Sequence, residues 1–376
     1  MVTAMQRLER ARTFIDDSSG GRFFLVVLAP VLAIYLATAS WTSVASSDPY
    51  TNMMTAWQMA NNGTVVFDDL GPYVPLRGQI SWIVEGPDGQ VSQYPPGAAM
   101  LAVPLYAIDG DDLEVIPQGD PRRDGTYYED LPVDVVLPPL WPGAAVGAVT
   151  AAVAVALAAL TARPFAGAFV AAVGAWVYAF GTGTWAVAAD DLWQHGPAML
   201  WIALGLLLVT RDHPWLGGLS LGLAILTRPP TAIIAAAIGL ASGIAKRSVV
   251  EVAKVGAGAV AGLAALVAYN AVVLDTASIT GGYGAAAEPY TSSVLGYVQN
   301  VLGGLFDPAR GLLFLSPFLI VAVIGAIAAR GSLRGPAFGG LVGGGAYLVV
   351  MWGLNRYSGG SGFVGYRYPL EAIAAG

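Results

Sequence analysis

The chain of 376 residues contains no cysteine. That excludes disulfides, a thiolate metal site and a thiol nucleophile. Charge is also scarce: Asp, Glu, Lys and Arg make up 11% of the residues and hydrophobic types 56%, whereas a soluble domain carries about 25% charged residues. So few charges, combined with repeated apolar runs, mean a polytopic membrane protein. Histidine occurs only twice, and the net charge is −7, which argues against nucleic acid as a partner. No internal repeat with a period of about 20–50 residues is present.

The apolar runs set the organisation. Arg7, Arg10, Arg12 and Arg22 precede the first run, so the positive-inside rule places segment 1–22 in the cytoplasm. A first helix over 23–45 crosses outward. Its Ser43-Val44-Ala45 end has the form of a cleavage site, but the run is too long for a signal-peptide core and is read as a retained span. A polar loop, 46–139, follows outside. Helices over 140–162, 165–187 and 197–210 then alternate in direction. The runs Trp215–Leu226 and Ala232–Ala245 are too short to span singly and read as a helical hairpin with Arg228 at its outer tip. Helix 252–274, a Gly/Tyr-rich loop 275–311, and helices 312–329 and 336–354 complete the pattern, with another helix beginning after Pro369. On this topology Arg7, Arg10, Arg12, Arg22, Arg163, Arg211, Lys246, Arg247, Lys254, Arg330 and Arg334 are inside, eleven of the 18 basic residues. Of the 25 acids only Glu9, Asp16, Asp17, Asp212 and Glu251 are inside, so the outer face is acidic.

Within the long loop, Pro49–Asn61 reads as a short amphipathic helix lying on the membrane through Met53, Met54, Trp57 and Met59. Gly97–Ile108 is an apolar run too short to span, placed at the interface, and Asp109–Asp134 is a solvated acidic excursion. Ala and Gly within the helices permit close helix packing.

Four groups of residues have the chemistry for a site. Asp48 stands at the outer mouth of the first helix. It can cap the helix starting at Pro49, and it can serve as a general base, which needs an ionised carboxylate beside a bound hydroxyl. The Asp190-Asp191 doublet, four or five residues before His195, can put an acid and His195 on one helix face. They read as acceptor-binding residues or as interfacial caps before Pro197, and a divalent metal is the one cofactor they admit. One histidine and two acids make a poor metal site unless another acid such as Asp48 joins, so no metal ligand is assigned. Arg228, Arg310, Arg356 and Arg367 lie outside near helix ends. Arginine binds phosphate through a planar fork and keeps its charge, and the bland alternative is snorkelling to headgroups. Arg228 stands out, because an ionisable group at the tip of a short hairpin lies deep in the membrane. Among the tyrosines, Tyr290, Tyr297, Tyr357, Tyr366 and Tyr368 read as interfacial belt residues, whereas Tyr94 and Tyr283, in Gly/Pro-rich loops, can stack on a sugar. Gly281-Gly282-Tyr283-Gly284 is not a phosphate-binding fingerprint, since no strand precedes it.

In order along the chain, Ser47-Asp48-Pro49-Tyr50, Ser92-Gln93-Tyr94-Pro95-Pro96-Gly97, Asp191-Leu192-Trp193-Gln194-His195-Gly196-Pro197, Leu226-Thr227-Arg228-Pro229, Tyr269-Asn270 with Gly281-Gly282-Tyr283-Gly284, Gly311-Leu312-Leu313-Phe314-Leu315-Ser316-Pro317 and Gly365-Tyr366-Arg367-Tyr368-Pro369 form a set. Each is weak alone. Together they resemble the GT-C superfamily of integral membrane glycosyltransferases, in the protein mannosyltransferase and aminoarabinose-transferase-like branch. The resemblance implies an all-α polytopic bundle, here a GT-C-like transmembrane domain over 23–376 whose first extracytoplasmic loop, 46–139, carries interfacial helices. It implies transfer of a sugar from a polyprenyl-phosphate carrier, on the outer face of the cytoplasmic membrane, to a hydroxyl of a glycan, lipid or protein acceptor. Asp48 is then the base, attack at the anomeric carbon inverts it, and Arg228, Arg310, Arg356 and Arg367 hold the lipid phosphate. Many relatives have Asp-Glu where this chain has Asp48-Pro49, so a second carboxylate must come from elsewhere or be absent. Relatives also continue for several helices, often with a soluble outer domain, beyond the point matching Gly376.

Two other functions fit the composition. A transporter or lipid flippase requires broken helices paired in two halves, and only one broken pair, around Arg228, is visible. A non-catalytic subunit of an envelope-assembly complex requires no base.

Overall fold

The structure is a computed structural model and describes residues 2–44, 46–68, 82–124, 129–130, 134–283, 290–328, 335–360 and 363–376. Arg330 and Arg334 of the charge pattern lie outside the described residues, as does Gly284 of the glycine-tyrosine motif.

Helix α1 (Val2–Asp16) precedes α2 (Gly20–Thr38), which Ser19 caps by accepting from the Arg22 amide. The extramembrane segment contributes α3 (Ser47–Asn61), the antiparallel pair β1 (Ile83–Gly86) and β2 (Gly89–Ser92), α4 (Gly97–Asp109), and a second pair, β3 (Glu114–Ile116) with β4 (Val135–Leu137). Val84 faces Val91 in the first pair and Val115 faces Val136 in the second. The bundle continues with α5 (Trp141–Ala166), α6 (Ala168–Gly181), α7 (His195–Thr210), α8 (Pro214–Thr227), α9 (Ala232–Lys246) and α10 (Val249–Val273). It closes with α11 (Val294–Phe306), α12 (Leu312–Leu315), α13 (Phe318–Ala328), α14 (Pro336–Leu354) and α15 (Leu370–Ala375). Among the described residues, five stretches are long and apolar enough to cross a membrane: Gly20–Thr38, Trp141–Ala166, Pro229–Lys246, Val249–Val273 and Pro336–Leu354. This is a multi-pass membrane protein.

Small residues set the helix spacing. The Gly218/Gly222 ridge of α8 meets the Gly258/Gly262 ridge of α10 so closely that a Cβ added at Gly262 would lie 2.0 Å from the Gly222 carbonyl oxygen. Lipid is as apolar as leucine, so this close backbone approach, with its dispersion contacts, holds the pair together. Helix α14 has two such ridges: Gly339 and Gly343 lie against α9, and Gly340 and Gly344 lie against α15.

Several expected elements differ. The span expected over 165–187 stops at Gly181, where Gly181 abuts the Phe318 ring and Gly183 abuts the Tyr366 carbonyl. A π-helical turn over Thr184–Ala188 takes its place, and the Thr182 hydroxyl bonds the Tyr178 carbonyl and the Thr184 side chain. The span expected over 312–329 breaks at Ser316-Pro317, because the residue before a proline is driven out of the α region. The 275–311 segment contains a helix, α11, with Val294, Leu295, Val298, Leu302 and Phe306 exposed.

The largest difference concerns α3. Every residue from Pro49 to Gln58 is buried, so the apolar surface of Met53, Met54 and Trp57 meets protein where lipid was expected. Met53, Met54 and Trp57 share a core with Ala99, Ala102 and Tyr106 of α4, Val135 and Leu137 of β4, and Leu192. Tyr50 donates to the Val136 carbonyl, and Asn52 donates to that of Leu192. The sequence signal was ambiguous because an amphipathic face fits a protein surface as well as a headgroup region.

Candidate functional site

The helix directions bring one end of the bundle against the extramembrane layer. There α4 begins at Gly97, packed so tightly on Thr227 that a Cβ would lie 2.4 Å from its hydroxyl. The tip between α8 and α9 is thereby pressed under the 93–97 turn, and Arg228, the first residue past α8, is buried.

Asp48 lies in the first turn of α3. The N-cap position is Ser46, so Asp48 is not the capping residue. Its Oδ2 instead accepts from Arg367 Nη1 at 2.5 Å, with 13% of the Asp48 side chain and 12% of the Arg367 side chain exposed. The Arg367 guanidinium lies 5.2 Å from the Tyr368 ring centroid, 5.4 Å from that of Trp193 and 5.5 Å from that of Phe363. Its Nε is buried with no hydrogen-bond partner among the described residues. Burial opposes its charge, but Asp48, Tyr368 and Tyr94 beside it hold its pKa above the ordinary arginine value. Burial first, then the Asp48 carboxylate, raises the Tyr94 hydroxyl well above the usual tyrosine range, so it stays protonated. The Tyr94 ring packs edge-on to Tyr283 at 6.0 Å. Tyr283 is pushed up to about 12, mainly by burial, and donates to Gln194 Oε1 at 3.3 Å.

A second group lies deeper. Glu371, in α15, is fully buried. Its Oε1 lies 2.7 Å from His195 Nδ1 and 3.0 Å from Arg228 Nε. Its Oε2 accepts from the Tyr347 hydroxyl at 2.9 Å, and Arg228 Nε also donates to Tyr347 at 2.9 Å. The Arg228 guanidinium stands 5.9 Å from the Tyr368 ring. Tyr368 is therefore flanked by two arginines, each paired with a carboxylate and each with donors that bond to no described residue.

Of the residues singled out from the sequence, Asp48, Tyr94, His195, Arg228, Tyr283 and Arg367 converge here. The others do not share its centre. The Asp190 carboxylate takes the Ser40 hydroxyl at 3.0 Å, linking the end of α2 to the 189–194 loop, and burial raises its pKa above the ordinary Asp value. Asp191 Oδ1 accepts the Leu192 amide at 2.7 Å. Arg310 sends Nη1 to the Phe363 and Gly365 carbonyls at 2.8 and 3.0 Å and stacks 4.4 Å from the Phe363 ring. It thereby fixes the loop carrying Arg367. Arg356 is exposed. Among the described residues no group of three or more His, Asp and Glu side chains could hold a metal ion, so Asp190, Asp191, His195 and Asp48 do not assemble as a metal set.

The sequence reading did not single out Glu371, Tyr347, Trp193 or Phe363, and it placed Tyr366 and Tyr368 in an interfacial belt. Both tyrosines are buried, and Tyr366 shares a hydrogen bond with Ser316 at 2.7 Å. Glu371 did carry a signal: an acid within an apolar helical run is functional by default. Tyr347 carried none, because one tyrosine in a Gly-rich span looks like any interfacial aromatic.

The solved structures with a similar fold include ArnT from Cupriavidus metallidurans bound to undecaprenyl phosphate, at a TM-score of 0.56 and 14% identity over 93% of this chain. They also include the same protein in its apo state, at a TM-score of 0.55 and 15% identity over 95% of this chain. The chain has a GT-C fold. It spans 58% of the length of either ArnT structure. No family model matches the sequence, and no curated protein does. At such identity the GT-C likeness speaks for the path of the backbone, and the roles of individual side chains rest on the geometry above.

Proposed function

We propose that the chain is an inverting glycosyltransferase that moves a sugar from a polyprenyl-phosphate carrier to an acceptor hydroxyl, with its site at the outer face of the cytoplasmic membrane and its N-terminus in the cytoplasm. The observation that carries this reading is the pair of arginines flanking Tyr368, Arg228 buried and Arg367 part-buried, beside the Asp48 carboxylate at the mouth of the site. Enclosed arginine is costly, and its planar fork suits it to bind a phosphate through two donors at once. The ArnT structure that holds undecaprenyl phosphate shares the fold, which supports a polyprenyl phosphate as the anion.

The steps follow from this placement. Arg228 and Arg367 bind the donor phosphate. Asp48 takes the proton of the acceptor hydroxyl as its oxygen attacks the anomeric carbon from the face opposite the phosphate, and the sugar–phosphate bond breaks with inversion. Negative charge grows on the departing phosphate, where fixed guanidinium donors stabilise it most. Arg367 is paired with Asp48. A phosphate that takes over the Arg367 guanidinium leaves the Asp48 carboxylate free to act as base. Tyr94 and Tyr283, edge to face beside Asp48, form the wall against which a sugar stacks. Arg310 acts through the 363–365 backbone, and Arg356, Asp190, Asp191 and His195 lie around this centre as supporting or acceptor-side residues.

The test is sugar transfer from a radiolabelled polyprenyl-phosphate donor pool in membranes, comparing the wild-type chain with Asp48→Asn at matched expression. Loss confined to the variant supports the reading. Full transfer by a well-folded Asp48→Asn protein removes the base.

A further inference from the structure

Glu371 has no step in the reaction above, yet it is the most deeply enclosed carboxylate of the site and takes three donors. His195 Nδ1 and Arg228 Nε approach one oxygen, and the Tyr347 hydroxyl bonds the other. Fully burying a carboxylate is unfavourable unless its lone pairs are satisfied and its charge is matched. Both conditions hold here, and the match is made to one atom in particular. Arg228 is approached through Nε, by Glu371 at 3.0 Å and by Tyr347 at 2.9 Å, and its two Nη groups donate no hydrogen bond to a described residue. An arginine gripped at Nε has its guanidinium plane and its terminal fork fixed, while most of its donors remain for an external anion. The three supports come from three helices. Glu371 is on α15, Tyr347 on α14 and His195 on α7, and α14 is seated against α15 through Gly340 and Gly344, where an added Cβ would meet the Ala375 and Ala372 carbonyls.

We infer that Glu371 is a positioning residue for phosphate binding: with Tyr347 and His195 it clamps Arg228 through Nε and so aims the free edge of the guanidinium at the donor phosphate. This rests on the reading of Arg228 given under Proposed function. Glu371 neither touches the donor nor moves a proton. It restricts the rotamers of Arg228, so that the anion meets a preformed fork instead of ordering a flexible side chain on arrival.

The experiment measures the affinity of undecaprenyl phosphate for the purified chain in detergent, together with donor and acceptor KM. It compares the wild type, Arg228→Ala, Glu371→Gln, Tyr347→Phe, and each of the last two combined with Arg228→Ala. Glu371→Gln is expected to weaken undecaprenyl phosphate binding and raise donor KM on the order of tenfold, and Tyr347→Phe about threefold, as expected for loss of charge-assisted and neutral hydrogen bonds respectively. Acceptor KM stays unmoved, which a general disturbance of the bundle would not allow. In the Arg228→Ala background neither substitution lowers affinity further, because groups that act through one residue are non-additive. Wild-type affinity in Glu371→Gln, or an undiminished further loss in the double variant, overturns the positioning role while leaving Arg228 in place. If Glu371→Gln does not fold, Tyr347→Phe decides the matter alone. Failure of the wild type to bind undecaprenyl phosphate, or unchanged binding by Arg228→Ala, overturns the phosphate site itself and this inference with it.

Discussion

The two ends of the bundle hold their charges in different ways. At the end away from the candidate site, Lys246 Nζ lies 2.7 Å from both Asp212 and Glu251. Arg163 donates to the Ser18 carbonyl, and Asp16 accepts the Phe169 amide. These contacts join neighbouring segments at turns: the α7–α8 turn to α9, α9 to α10, the α1–α2 turn to α5, and α1 to α6. Asp212 is 79% exposed and Lys246 36%, so solvent shares the load. At the site end the charges are enclosed, aromatic rings wall them in, and arginine donors are left over. Exposed pairs are weak and readily lost. Enclosed pairs are costly to form and worse to break, so their retention points to function. Burial and surplus donors, more than the number of ion pairs, mark the site.

The largest expected effect comes from removing the proposed base. Asp48→Asn should lower transfer on the order of a thousandfold, within the range for a lost general base, with undecaprenyl phosphate binding retained. The measurement is initial rate against bound lipid, and equal loss of both would move Asp48 from chemistry to binding. Next is Gly262→Leu, which tests the packing that holds both ends in register. Forcing a side chain into the α8–α10 contact should cost about 1–3 kcal/mol, read as a lower unfolding temperature in detergent. An unchanged temperature would mean the helices separate without loss. Arg310→Ala sharpens the site end: with its bonds on the Phe363 and Gly365 carbonyls, it should reduce transfer less than Arg228→Ala and make the 363–367 backbone exchange hydrogen faster. A loss equal to that of Arg228→Ala would assign it to the phosphate itself.

The smallest effect belongs to the other end. Lys246→Ala should leave transfer unchanged and lower thermal stability slightly. The hydrogen bond from Lys246, followed by its charge, holds Asp212 below the ordinary carboxylate pKa. A depressed carboxylate stabilises the fold above its unfolded-state pKa, about 3.9, and loses that contribution as pH falls through the folded value. The stability difference between wild type and Lys246→Ala should therefore shrink on acidification below that range. A difference that grows with acid would reverse the assignment.

Much of this contrast is visible in the residues alone. Arg228 between two short apolar runs, and Asp48 at the mouth of the first, mark one end, because ionisable groups in an apolar chain are few enough to be conspicuous. The motif order pointed to the fold that the ArnT structures share. Partners were not visible. Nothing local tells Asp48 that it pairs with a residue 319 positions later, or separates Arg310, bound to carbonyls, from Arg228, bound to a carboxylate. The placement of α3 depended on whether α4 and β4 or a headgroup layer covers its apolar face, and the same side chains satisfy either.

Composition and hydropathy by themselves determined that the chain enters a membrane, roughly where it crosses, and which residue types are rare enough to matter, since water–lipid partitioning acts on each segment independently of the rest. Tertiary structure alone decided that Glu371 meets Arg228 and His195, that Arg367 meets Asp48, and that α3 is core. The first of these depends on α14 meeting α15 at backbone distances only glycine permits, and a contact between distant segments exists only once all of them are in place.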